Sequence, residues 1–293
     1  MLILLQTLAT GIVLAGLYSL FAIGLSLGWG LLHTINFAHF SFVLLAAYVT
    51  YELSTAAGWD PVVTMVVTAP IGALLGLGLQ LFVTTFKIDV FGTLIVTFGL
   101  FLIFEAAMAM RWTADLLRLP SEINPYFTSA VRIGPIRVSM LLTIATALAV
   151  LACVGVWWLL KHTRTGRGIR AFVQEPEMAA AFGVNYPQLS LVIAGIAGAT
   201  AGLTGTILGM YLSLTPTVVE VWIAVVFAVV LLGGLANPIG VMGAAFVIGM
   251  VESFTRQFAD PAMARLMALV VLIIVLVFRP EGLFKRLVQE ARE

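Results

Sequence analysis

The chain is short of nearly everything that builds a water-soluble enzyme. Charged side chains make up 10% of its 293 residues, with three histidines and one cysteine. That cysteine, Cys153, lies in the apolar run AVLACVGVWWLL, which excludes an internal disulfide and a multi-cysteine metal cluster and predicts a buried, inert thiol. Formal net charge is +1, so no whole-protein field points to nucleic acid or to acidic substrates. His33, His39 and His162 sit on expected loops or span edges without matching acidic partners, so no nucleophile, acid-base pair or metal set is visible and no enzyme is expected. No charged side chain precedes Glu52, and the start lacks the basic residues of a secretory signal, so it is expected to remain as membrane structure.

What is abundant is hydrocarbon. The chain is 61% hydrophobic, with a mean hydropathy of +1.11. Soluble domains are about half apolar and about a quarter charged, so this excess belongs in a bilayer. Apolar stretches of span length fall at about 3–28, 38–57, 61–83, 91–110, 138–160, 188–211, 221–236, 240–257 and 263–279. They predict an all-α integral membrane protein of eight or nine transmembrane or re-entrant helices, one membrane domain over 1–293. The breaks around Gly28, Gly30 and Asn36, and around Gly233, Gly234 and Pro238, are candidates for re-entrant turns inside protein.

Two connections are long. Residues 161–187 carry Lys161, Arg164, Arg167 and Arg170, the densest positive cluster, which the positive-inside rule makes cytoplasmic. Alternation then places 111–137 outside, with Lys87 and the tail bearing Arg279, Lys285, Arg286 and Arg292 inside. The outer loop is expected to hold a helical piece at 114–119 and a hairpin, VRIGPIRV, turning at Gly134 and Pro135.

Inside the spans, Gly195, Gly198, Gly202, Gly205 and Gly209 fall on one helix face, the pattern that lets two backbones pack closely in lipid. Gly72 and Gly76 are a shorter version. Glu105 and Glu252 lie near span ends and are expected to pair with arginines such as Arg111 or Arg256. No acidic relay for an ion-coupled carrier and no charge ring or carbonyl filter for a channel is visible. What remains is an uncharged conduit driven from elsewhere, with an ion-coupled secondary carrier as the alternative of another class.

After the basic cluster, Pro176 suits a first helical turn, Glu175 and Glu177 its positive end, and Met178 to Phe182 its body, with Gly183 as the left-handed stop. Ala179, Ala180 and Ala181 are expected on its surface. Alone, such a helix is unstable, since those under about 12 residues are marginal in water. A partner's groove is expected to hold it.

These residues carry a resemblance. TRTGRGIRAFVQEPEMAAAFGVN is similar to the cytoplasmic loop of permeases of the branched-chain amino acid ABC importer family. INFAHFSFVLLAAYV resembles that family's first motif, VVLLGGLANPIGVMGAAFVIGMVE its glycine-rich one, and VLVFRPEGLF its ending. The chain resembles the shorter of the two permease paralogues and departs from the pattern at Phe40, where glycine is usual. The resemblance implies a second related permease, two ATP-binding subunits and a periplasmic substrate-binding protein as partners, in the bacterial inner membrane. It implies that Arg164, Gly166, Arg167, Arg170, Glu175, Glu177, Met178, Ala180, Phe182 and Gly183 couple to the ATPase. It also makes Asn36, Phe37, His39, Gly233, Gly234, Pro238 and Gly240 pathway candidates, and the two membrane motifs a weak internal repeat. ATP is used by the partners, since no Walker loop stands in this chain, which is expected to bind no cofactor and no metal. Leucine, isoleucine and valine are the implied substrates, with urea, amides and aromatic acids as alternatives.

Overall fold

In lipid a backbone must satisfy its own hydrogen bonds, so long apolar stretches become helices. A computed structural model describes residues 1–113, 115–279 and 282–283, and the tail cations Lys285, Arg286 and Arg292 lie outside the described residues. Nine long helices match the nine apolar stretches: α1 (Leu2–Leu32), α2 (Ala38–Ala56), α3 (Met65–Thr85), α4 (Val90–Trp112), α6 (Met140–His162), α9 (Tyr186–Tyr211), α10 (Glu220–Gly233), α11 (Pro238–Phe258) and α12 (Ala264–Phe278). Between them lie α5 (Pro125–Thr128), a hairpin of β1 (Ala130–Ile133) and β2 (Ile136–Ser139), α7 (Arg164–Gln174) and α8 (Pro176–Ala181). Among the described residues, seven helices are long and apolar enough to cross a membrane. The other two are α2, which carries His39, Ser41, Thr50 and Glu52, and α10, whose 14 residues span only about 21 Å at about 1.5 Å per residue.

The ends of the bundle are distinct. The Gln6 side chain accepts from the Arg137 N–H at 3.0 Å and donates to the Arg137 carbonyl at 2.5 Å, so the start of α1 shares an end with the β1–β2 hairpin. At the other end Leu31 packs with Leu160 and Ile169, beside α7.

α9 is the hub. A Cβ on Gly198 would lie 2.1 Å from the Gly72 carbonyl oxygen, and one on Gly202 2.1 Å from that of Thr68. Here α3 and α9 touch backbone to backbone. Gly205 and Gly209 sit in the same way against Val43 and Ala47 of α2, whereas Gly195 meets only the Leu77 side chain at an ordinary 3.5 Å. Buried hydroxyls add a second tie: Thr50 bonds Thr64 and Thr206, both at 3.1 Å, and Thr68 bonds Thr206 at 2.7 Å. A satisfied hydroxyl cluster of this kind joins three helices without leaving polar groups in hydrocarbon.

Three local expectations are corrected. Gly28 and Gly30 do not break a helix, because α1 continues to Leu32 and ends on His33, a left-handed residue at φ 56°. Gly30 instead admits the backbone of Ala236, whose N would lie 2.4 Å from a Cβ there, so the two glycine pairs are not equivalent repeats. Asp115 to Leu119 is not helical; Leu117 pairs with Leu214 in a two-way backbone bridge, which requires extended chain. Beyond these, Arg164 to Gln174 of the basic cluster forms α7, a helix not singled out from the sequence. Its Thr163 cap, accepting from the Gly166 N–H at 3.0 Å, and its Ile169, Phe172 and Val173 spacing are the signals that mark it. The hairpin forms as expected, with Gly134 at φ 61° in its turn. At the other motif α10 stops at Gly233, and the buried turn of Gly234 (φ 79°) and Ala236 (φ 59°) leads into α11, where Asn237 caps the Gly240 N–H at 2.9 Å.

Candidate functional site

A narrow cleft with about 30 Å³ of internal space, room for a water or two, runs between α1, α2, α3, α4 and α9. Its walls include Gly24, Leu25 and Gly28 of α1, Phe42 of α2, Gly76, Leu79 and Val83 of α3, and Ala194 and Gly198 of α9. Asn36 and His39 line it, as do Thr34, Gln80, Thr93 and Thr97. Those last four were not singled out from the sequence. The signal was available at Gln80, a glutamine alone among leucines and phenylalanine in GLGLQLFV. Among the described residues, the cleft wall carries no Lys, Arg, Asp or Glu.

Thr97 braces the turn that presents Asn36. It accepts from the Phe37 N–H at 3.2 Å and reaches the Ile35 carbonyl at 3.3 Å. Phe37 itself turns away from the cleft, into rings of Phe98 and Phe227, each 5.7 Å distant between centroids. Phe40 is fully buried against Phe21 at 5.4 Å and Phe227 at 6.0 Å, so the side chain that replaces the usual glycine fills an aromatic core. Gly233, Gly234, Pro238 and Gly240 lie away from the cleft at the turn between α10 and α11, where a Cβ on Gly233 would meet Val241 at 2.6 Å.

The membrane carboxylates have separate fates. Glu252 is fully buried, accepts from the Tyr18 hydroxyl and pairs with Arg256 one turn on. Arg111, however, pairs with Glu52 at 3.3 Å rather than with Glu105, because Trp112 also donates to Glu52 at 2.8 Å and draws α2 and α4 together. Among the described residues no three of His, Cys, Asp and Glu come together as a metal site. In the outer segment Tyr126 donates to Asp60 at 2.8 Å, and that bond, with burial and the carboxylate charge, raises the phenol above its usual range.

At the opposite end, α7 folds back on α6. A Cβ on Gly166 would lie 2.2 Å from the Leu159 carbonyl oxygen and 2.4 Å from that of Leu160, so only glycine fits. Arg170 is half-buried and donates to the Leu160 carbonyl, closing the end of α6, while Arg164 and Arg167 stay exposed. Phe172 stacks on Tyr186 at 4.1 Å, tying α7 to α9. On this platform α8 ends in a Schellman turn. Val184 N–H bonds the Ala179 carbonyl and Gly183 N–H that of Ala180, each at 3.0 Å, with Gly183 at φ 82°. Ala179 is buried against the chain, contrary to the expected alanine surface, because α8 packs back on α7. Glu175, Glu177, Ala180 and Ala181 are exposed, as are Met178 at 56% and Phe182 at 83%.

The protein-family model described as branched-chain amino acid transport system / permease component matches residues 7–276. The chain belongs to this family. It is similar to the probable branched-chain amino acid transport permease protein LivH of Methanocaldococcus jannaschii, 24% identical over 283 residues, covering 93% of this chain and 90% of that protein. The high-affinity branched-chain amino acid transport system permease protein LivH of Salmonella typhimurium is 22% identical over 294 residues, 96% of both chains. Similarity extends to the fructose import permease protein FrcC of Rhizobium meliloti, 24% identical over 79% of this chain and 66% of that one. No solved structure matches the chain. The permease is thus a multi-pass membrane transport protein and not an enzyme.

Proposed function

We propose that this permease is the membrane subunit of an ATP-driven importer for branched-chain or other hydrophobic amino acids. It works in a bacterial inner membrane with a second related permease, two ATP-binding subunits and a periplasmic substrate-binding protein. The observation that carries the reading is the α8 surface: Met178 and Phe182 are exposed apolar side chains flanking exposed Ala180 on a six-residue helix. Two large apolar side chains on a helix too short to stand alone call for a groove to cover them. Arg164 and Arg167 are free to meet an acidic rim beside it. ATP is bound and hydrolysed by the partners.

The uncharged cleft wall supports this reading over an ion-coupled carrier, which needs a titrating carboxylate on the path. Glu252 is held by Tyr18 and Arg256 instead. The test is uptake of labelled leucine into vesicles carrying the four-part importer and its binding protein. Uptake is expected to require ATP, to ignore proton and sodium gradients, and to fail in Ala180→Glu together with copurification of the ATPase subunits. Normal uptake and copurification in Ala180→Glu overturn the coupling assignment.

A further inference from the structure

The β1–β2 hairpin sets two arginines side by side. Arg132 and Arg137 are direct partners across the strands, so their Cβ atoms lie about 4.5–5.5 Å apart on one face. Both are exposed, and like charges placed directly opposite one another in an antiparallel pair are destabilising. Among the described residues neither guanidinium has an ion pair, a hydrogen bond or a ring contact. The strands are not free to relieve the repulsion by drifting apart, because the Gln6 side chain holds both the N–H and the carbonyl of Arg137 against α1. Two guanidinium groups fixed together without a counter-charge call for an anion from outside the chain.

The depth of the pair selects that anion. Gln6 lies about 6 Å along α1 from Leu2, at about 1.5 Å per residue. Met1, Leu2, Ile3, Leu4 and Leu5 are all apolar and all exposed, and together they cover every side of the first helical turn. An uncovered apolar turn on a spanning helix lies in hydrocarbon. The Arg137 backbone, tied one turn further in, is therefore no farther from the bilayer centre than the hydrocarbon edge. Ile133, next to Arg132, is apolar and exposed as well, which suits lipid and not water. From that depth a long arginine stem runs through the interface and leaves its head among the lipid phosphates, which its planar fork matches bidentately. A water-soluble acidic protein would have to reach below the headgroups to meet the same groups.

We propose that the β1–β2 hairpin is a binding site for an anionic phospholipid, whose headgroup phosphate is shared between Arg132 and Arg137 and whose acyl chain lies along Leu2 and Ile3, on the Gln6 face of α1. The bound lipid neutralises the pair and anchors two spanning helices at once, since Gln6 belongs to α1 and β2 runs directly into α6. The site does not depend on what the permease carries or on how it is driven.

The experiment uses the full-length permease, purified with the subunits that accompany it, in phosphatidylcholine nanodiscs carrying a photoactivatable phosphatidylglycerol. Cross-linked peptides are mapped by mass spectrometry. Adducts are expected within 130–139, and unlabelled phosphatidylglycerol should displace them at least about fivefold better than phosphatidylcholine with the same chains, the contribution of one arginine beside an anionic surface. Arg132→Gln with Arg137→Gln should lose that preference. Arg132→Lys with Arg137→Lys, which keeps the charge but not the fork, should keep part of it. Melting gives an independent reading. In phosphatidylcholine alone the double glutamine variant should melt no lower than wild type, because a repulsion has gone, whereas added phosphatidylglycerol should raise the melting temperature of wild type more than that of the variant. Equal displacement by the two lipids, no adducts within 130–139, adducts unchanged in the glutamine variant, or an equal rise in melting overturns the proposal. Adducts that form only after the accompanying subunits are stripped away also overturn it, and assign the arginine pair to an acidic surface of one of those subunits.

Discussion

The glycine seam of α9 and the surface of α8 both present small residues, yet these do opposite things. In the seam the small residue is a space for another backbone, with Gly198 and Gly202 against the carbonyls of Gly72 and Thr68. On α8 the small residue is an opening, with Ala180 exposed between Met178 and Phe182. A side chain added to the first has nowhere to go and should disrupt the fold. A side chain added to the second meets solvent in the isolated chain and should matter only when a partner arrives.

The largest effect is expected in the seam. Gly202→Val should lower the melting temperature sharply or abolish recovery of folded protein, since overpacking costs typically about 1–3 kcal/mol and here the obstacle is backbone. Gly195→Ala, against the Leu77 side chain alone, should stay within about 0.5 kcal/mol of wild type. Equal melting of the two variants would break the distinction within one helix.

On α8, Ala180→Glu should leave melting of the isolated permease unchanged while uptake by the importer falls at least about tenfold, because an unpaired charge is desolvated in the groove. Ala179→Glu, one residue away and buried, should lower melting instead. The pair sharpens the comparison, since one adjacent step exchanges a loss of coupling for a loss of fold.

Smaller effects are expected where polar groups tie helices. Tyr18→Phe removes a hydrogen bond from the fully buried Glu252 carboxylate and should destabilise by about 1–3 kcal/mol, read as a drop in melting temperature. The smallest lies in the outer segment. Because the folded phenol pKa of Tyr126 is raised, its bond to Asp60 contributes below the ordinary tyrosine pKa of about 10 and is lost as pH rises through the raised value. Tyr126→Phe should therefore melt slightly below wild type at neutral pH, with the gap closing at strongly alkaline pH. A gap that widens there would contradict the sign.

The nine helices were legible because hydrocarbon length is a local property, and so was the hairpin at Gly134. The Gly183 stop was legible too, since a left-handed cap is written in one residue. The role of Gly30 was not, because its reason is Ala236, more than 200 positions away. The sequence pointed Arg111 to Glu105, and the structure pairs it with Glu52, beside the Trp112 bond to the same carboxylate. Of the candidate pathway residues, Asn36 and His39 line the cleft and Gly233 and Pro238 lie elsewhere, a division that the sequence could not make.

By itself the sequence determined that the protein lives in lipid and roughly where its long helices run, because hydropathy, caps and glycine turns act over a few residues. Only the tertiary structure decided which polar atoms remain unpaired. Whether Asn36 and His39 find a partner depends on what α3, α4 and α9 bring against them, and that is a property of packing between distant segments that no local pattern encodes.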